Sequence, residues 1–117
     1  MSASGPRQMN LGVFAVGNGN HVTGWRHPGA AKSGDDIGNY IDIAQRAEAA
    51  AMDLVFLADN VRCDLGDHPG FASRTEPFTT LSAVAVHTQR IGLVASGSTS
   101  YTPVSYTHLT LPTKRIV

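Results

Sequence analysis

Cys63 is the only cysteine in this 117-residue chain, which excludes an internal disulfide and leaves nothing that points to an oxidising compartment. Charge is sparse as well: 15% of residues are charged, and nine basic against nine acidic side chains leave no net charge at neutral pH. That removes the electrostatic footprint expected of a nucleic-acid binder or of a protein held on an anionic membrane. No apolar run approaches the roughly 18 residues of a membrane span, and Met1–Gln8 lacks the apolar centre of a signal peptide. The chain is therefore expected to be cytoplasmic, with residues 1–8 a disordered tail in front of one domain at most.

What is present is a set of short, uniformly apolar runs. Leu54-Val55-Phe56-Leu57-Ala58 ends abruptly on Asp59, and a run of that length and composition fits a strand buried on both faces, hence a parallel sheet with helices on each side. Ligands of such sheets sit beyond the carboxyl ends of the strands, so Asp59 is the first site candidate. The plainer alternative is that its side chain caps the next turn. Leu11–Val16 and Ile91–Ala95 are two more strands of the same kind, the first ending in the turn-forming Gly17-Asn18-Gly19-Asn20 and the last in Ser96-Gly97-Ser98-Thr99-Ser100.

Between them the apolar period lengthens to 3.6 residues. From Asp35, the positions Ile37, Tyr40, Ile41, Ala44, Ala47 and Ala51 share one face, with Ser33, Asp35 and Asp36 suited to the helix start. Thr75-Glu76-Pro77 opens a second helix, with Thr75 as the capping hydroxyl and Pro77 where its missing N–H costs nothing; Gln89-Arg90 closes it. The order β-α-β-α-β with right-handed crossovers gives a parallel sheet.

Two connections are long. Gly17–Gly34 carries His21, Trp25, Arg26, His27 and Pro28, and Asn60–Thr75 carries Cys63 and His68; both exceed the usual two to six residues of a βα turn. A metal site built from Cys63, Asp64, Asp67 and His68 fails because no second cluster completes four ligands at a familiar spacing. Both loops leave the same, carboxyl end of the sheet. That asymmetry belongs to a (β/α)8 barrel, which needs about 250 residues, so three units suggest a truncated barrel.

The residues also carry a resemblance. His21 followed by Gly24-Trp25-Arg26-His27-Pro28, the run Asp53–Asp59, Glu76-Pro77, and Arg90–Ala95 leading into Ser98-Thr99-Ser100-Tyr101 together resemble the N-terminal part of the bacterial-luciferase-like flavin monooxygenases, in the nitrilotriacetate, EDTA and dibenzothiophene-sulfone branch. The resemblance spans about Met9 to Pro103. It implies the β-α-β-α-β opening of a TIM (β/α)8 barrel of the α/β class, and an oxidoreductase that uses reduced FMN, supplied by a separate flavin reductase, to oxidise a small organic substrate with O2. It also implies a homo-oligomeric full-length form and an inactive isolated fragment. Position by position, Asp59 matches an acid beside the flavin ring, and Ser96 a hydroxyl, more often Thr, that lines the same ring. Ser98 and Thr99 are neighbouring cofactor-side positions, and His21, Trp25 and His27 are substrate-side candidates. The alternative for these three is that Trp25 plugs the barrel top and the histidines are solvated. Flavin oxygenation needs water and stray protons kept away, which suits apolar strand walls tipped by few polar groups.

Rival readings are a deazaflavin-dependent oxidoreductase of the same superfamily, a small non-catalytic α/β binding module, and a metal-dependent barrel hydrolase using His21, His27 and Asp59, which lacks the expected short histidine spacing. Val104–Val117 has no helical period and no counterpart in the family. One reverse translation of its first ten residues reads as a transposon-end sequencing adapter, so residues 104–117 are expected to be a non-native tail, which the gene's own codons would decide.

Overall fold

The computed structural model describes residues 8–21, 23–31, 33–60, 74–98 and 100. Strands β1 (Gly12–Phe14), β2 (Leu54–Leu57) and β3 (Gly92–Ala95) form one sheet in the order β1-β2-β3, and both neighbouring pairs are parallel. Helices α1 (Ile37–Ala49) and α2 (Pro77–Ala85) make the two crossovers. The α/β order expected from the periodicity is therefore present, with each strand shorter than its apolar run.

Both helices lie on one face of the sheet. Tyr40, Ala44 and Ala47 of α1 and Leu81 and Val84 of α2 join Ala15, Val55, Leu57 and Ile91 in a single buried cluster, with Val13, Leu93 and Ala95 packed against it. Burying side chains such as Leu81 and Val84, each 1% exposed, contributes about 1.5–3 kcal/mol apiece. The alternate residues face the other way, in registered rows: Gly12, Leu54 and Gly92, then Phe14, Phe56 and Val94. Phe14 and Phe56 stack at 5.3 Å between ring centroids, yet Phe14 remains 45% and Val94 41% exposed.

The expectation of helices on each side is thus corrected. Strands laid down in chain order by two right-handed crossovers place both helices on the same face, and the apolar character of the second face has no covering layer among the described residues.

Local chemistry sets the helix ends. Asp36 is the N-cap of α1, its carboxylate accepting the Gly38 N–H at 2.9 Å. At the other end Met52 N–H bonds Ala47 O and Ala51 N–H bonds Glu48 O, with Ala51 at φ 57°. This reversal feeds the chain directly into β2. For α2 the cap is Glu76, not Thr75: its carboxylate accepts from Phe78 N (3.0 Å) and Thr79 N (2.7 Å), and Pro77 follows at the first helical position. Thr75 Oγ1 is buried with no partner among the described residues. The helix stops at Ala85 rather than Gln89-Arg90, because His87 N–H turns back to Val84 O and Thr88 is buried.

Candidate functional site

Parallel pairing makes all three strands end at one rim, and this brings two sequence candidates into contact. The Ser96 N–H extends the ladder to Leu57 O at 3.1 Å, and its Oγ accepts the Asp59 backbone N–H at 2.7 Å. Ser96 therefore ties the tip of β3 to the tip of β2 and fixes where Asp59 stands. Both residues are half-buried. The Asp59 carboxylate accepts no hydrogen bond from any described residue, and the Ser96 hydroxyl keeps its proton to donate. The rim thus offers an acceptor and a donor side by side.

The next residues are held against α2. A Cβ on Gly97 would lie 2.6 Å from the Phe78 ring, so any larger residue here would have to displace that ring. Ser98 Oγ accepts the Ser100 N–H at 3.3 Å in a local turn. Thr99 falls outside the described residues, as do Cys63, Asp64, Asp67 and His68.

The Gly17–Gly34 loop carries the substrate-side candidates on a one-turn 3-10 segment, Gly24–Arg26, and its flanks. His21 Nδ1 accepts the Thr23 N–H (3.2 Å) and His27 Nδ1 accepts the Gly29 N–H (3.0 Å). A ring that accepts a backbone N–H at Nδ1 carries its neutral-state proton on Nε2. Arg26 lies over the Trp25 ring, its guanidinium carbon 4.9 Å from the centroid, and Trp25 is 39% exposed. The loop's two ends are fixed from α1: Asn39 Nδ2 donates to Gly17 O at 2.7 Å and the buried Tyr40 hydroxyl donates to Gly34 O at 2.8 Å. Neither residue stood out in the sequence. Tyr40 read as part of the apolar helix face, and only the two glycines bounding an aperiodic stretch hinted at a tight crossing.

Between the ends of β1 and β2, Val16, Gly17, Leu57, Ala58, Tyr40 and Thr75 line an open recess of about 220 Å³ including its mouth. The recess opens to solvent, so the described residues supply part of a wall rather than an enclosed pocket. Among them no three His, Cys, Asp or Glu side chains gather as a metal site, and no helix is long and apolar enough to cross a membrane.

The chain is similar in sequence to several monooxygenases. The chain is 44% identical over 96 residues to the N-acetyl-S-(2-succino)cysteine monooxygenase of Bacillus subtilis, covering 81% of this chain and 22% of that protein. It is 37% identical to nitrilotriacetate monooxygenase component A of Aminobacter aminovorans (81% and 24%). To the dibenzothiophene-sulfone monooxygenase of Rhodococcus erythropolis it is 33% identical (83% and 24%). The chain thus spans between a fifth and a quarter of the length of these relatives. Residues 9–106 match the model of the luciferase-like monooxygenases, and the chain belongs to that family.

Proposed function

We propose that this chain is the opening β-α-β-α-β arc of a (β/α)8 barrel whose carboxyl rim binds reduced FMN for oxygenation of a small organic substrate. The observation that carries the reading is the Asp59–Ser96 pair: a carboxylate that accepts from no described residue, its backbone locked by a 2.7 Å bond, beside a hydroxyl with no described acceptor for its proton. Such a pair suits a ring edge that presents both N–H donors and carbonyl acceptors. The bare sheet face supports the barrel: Phe14, Phe56 and Val94 form an apolar row that further strands of a barrel would enclose.

Reduced FMN would supply the activation of O2. Within this chain Asp59 would hold the flavin's polar edge, Ser96 would position Asp59 and line the ring, and Ser98 and Thr99 would stand beside them. The apolar strand tips would exclude water, and Trp25, His21 and His27 would face the substrate side. The name of the Aminobacter relative, a component A, supports a separate partner that delivers the reduced flavin. In TIM barrels the phosphate grip typically comes from the last strands' loops, so the 117-residue chain is expected to bind FMN weakly and not to turn over. The family match runs to residue 106; the tail from residue 104, which overlaps it by three residues, has no part in this reading and is proposed to be non-native.

The test is a reduced-flavin titration. In the intact polypeptide that carries this segment, Asp59→Ala should weaken binding roughly tenfold to a hundredfold, the worth of a charged hydrogen bond. Unchanged affinity, or stoichiometric tight binding by the 117-residue chain alone, would refute the assignment.

A further inference from the structure

We infer that Asn39 and Tyr40 are positioning residues for the Gly17–Gly34 loop, and that the loop rides on α1 as a closed-base lobe rather than trailing from the end of β1. The base is a backbone crossing. Gly17 and Gly34 are both buried, and a Cβ on Gly17 would lie 2.3 Å from Gly34 O and 2.7 Å from its Cα, closer than any side chain tolerates. The crossing leaves two carbonyls inside the protein that need donors. Adjacent residues near the start of α1 supply them, Asn39 to Gly17 O and Tyr40 to Gly34 O. Because Tyr40 is 4% exposed and belongs to the core, the clasp ties the loop to the buried cluster between α1 and the sheet.

Within the ring the loop is bonded to itself. Gly19 N–H reaches Val16 O, Gly24 reaches His21 O, Arg26 reaches Thr23 O, His27 reaches Gly24 O and Ala30 reaches His27 O, each at 2.9 or 3.0 Å. A compact surface loop with apposed ends and internal bonds moves as a unit. Among the described contacts, two hydrogen bonds and one glycine contact therefore fix its base, and with it the placement of Trp25, Arg26 and His27 at the rim. The catalytic consequence of that placement rests on the flavin reading above; the clasp itself does not.

Hydrogen exchange of the ligand-free chain tests the clasp, with Trp25, the chain's sole tryptophan, as a second reporter. Tyr40→Phe and Asn39→Ala should each speed exchange of peptides within residues 18–34 roughly two- to tenfold, the yield of one lost buried hydrogen bond. Acrylamide quenching of Trp25 should rise with it. Peptides from β2 and β3 should change no more than in the control Gln45→Ala, which removes the 3.0 Å bond from α1 to His87 O. Gly17→Ala should open the loop further than either. Loop exchange and quenching that stay at the parental values, or that rise only in step with β2 and β3, would overturn the proposal. No ligand is involved, so a failed clasp is distinguishable from a failed flavin assignment.

Discussion

The two rims of the sheet use carboxylates in opposite ways. At the amino rim Asp53 Oδ2 accepts the Leu11 N–H at 2.7 Å while its own N–H and C=O bond Leu11 and Gly92. Glu48, from the last turns of α1, spends one oxygen on the N–H groups of Gln89, Arg90 and Ile91 as the chain enters β3. At the carboxyl rim Asp59 is held only by its backbone, and its carboxylate is committed to no described residue. An acid that has absorbed the N–H groups around it works for the fold; one whose carboxylate meets no described donor is the one proposed above to meet a ligand. Barrels divide their ends in this way, with stability below and chemistry above.

The sharpest way to break that contrast is to remove Glu48. Glu48→Ala would strip an acceptor from three backbone donors and cost about 2–3 kcal/mol of folding stability, whereas Asp59→Asn should fall within about 0.5 kcal/mol, as substitutions away from such networks do. Denaturant unfolding of both variants in the intact polypeptide checks this, and equal costs would erase the distinction. The Glu48 clasp also carries a pH signature. The Arg90 N–H, with Ile91 and Gln89 behind it and the Arg90 charge adding to them, holds the Glu48 carboxyl below the usual glutamate range against the opposing effect of burial. A carboxyl lowered in the folded state stabilises fully above its unfolded pKa of about 4.3 and loses that contribution as pH falls through the lowered value. Acid destabilisation should therefore be shallower in Glu48→Gln than in the parent, the two curves converging at low pH.

Asp53 gives the next largest effect. Asp53→Asn keeps an oxygen for the Leu11 N–H but loses its charge, so a cost of about 1 kcal/mol is expected, read as faster amide exchange at Leu11. Protection left unchanged there would mean that the ladder alone holds the amino end of β1.

Much of this arrangement was legible in the sequence because it is periodic or local. The runs at Leu54–Leu57 and Gly92–Ala95 are strands, the 3.6 period over Ile37–Ala49 is a helix, and the Asp59 and Ser96 tips share one rim since parallel strands end together. What escaped depends on residues far apart in the chain. Glu48 reads as a solvated helix position until β3 arrives some 40 residues later, and Asn39 and Tyr40 gain their meaning only when Gly17 crosses Gly34. The cap at Glu76 was missed for a different reason: Thr75 and Glu76 both have capping oxygens, and side-chain reach chose the carboxylate. The apolar face that no described residue covers is not distinguishable in the sequence, because a strand run looks the same whether helices or a barrel interior lie against it.

The smallest expected effect separates the fold's needs from those of the rim once more. Ala51 ends α1 at φ 57°, a left-handed conformation that costs a residue with a Cβ about 1–2 kcal/mol relative to its helical form. The chain accepts that cost because Met52 N–H then reaches Ala47 O at 3.0 Å and β2 begins directly afterwards. Glycine adopts the same geometry without the clash but adds freedom to the unfolded chain. The balance favours Ala51→Gly by about 0.5–1 kcal/mol. Since Ala51 is exposed at the amino end of β2, that gain should appear in the unfolding midpoint and leave the affinity for the proposed flavin untouched. A change in affinity would show that the two rims are coupled through β2.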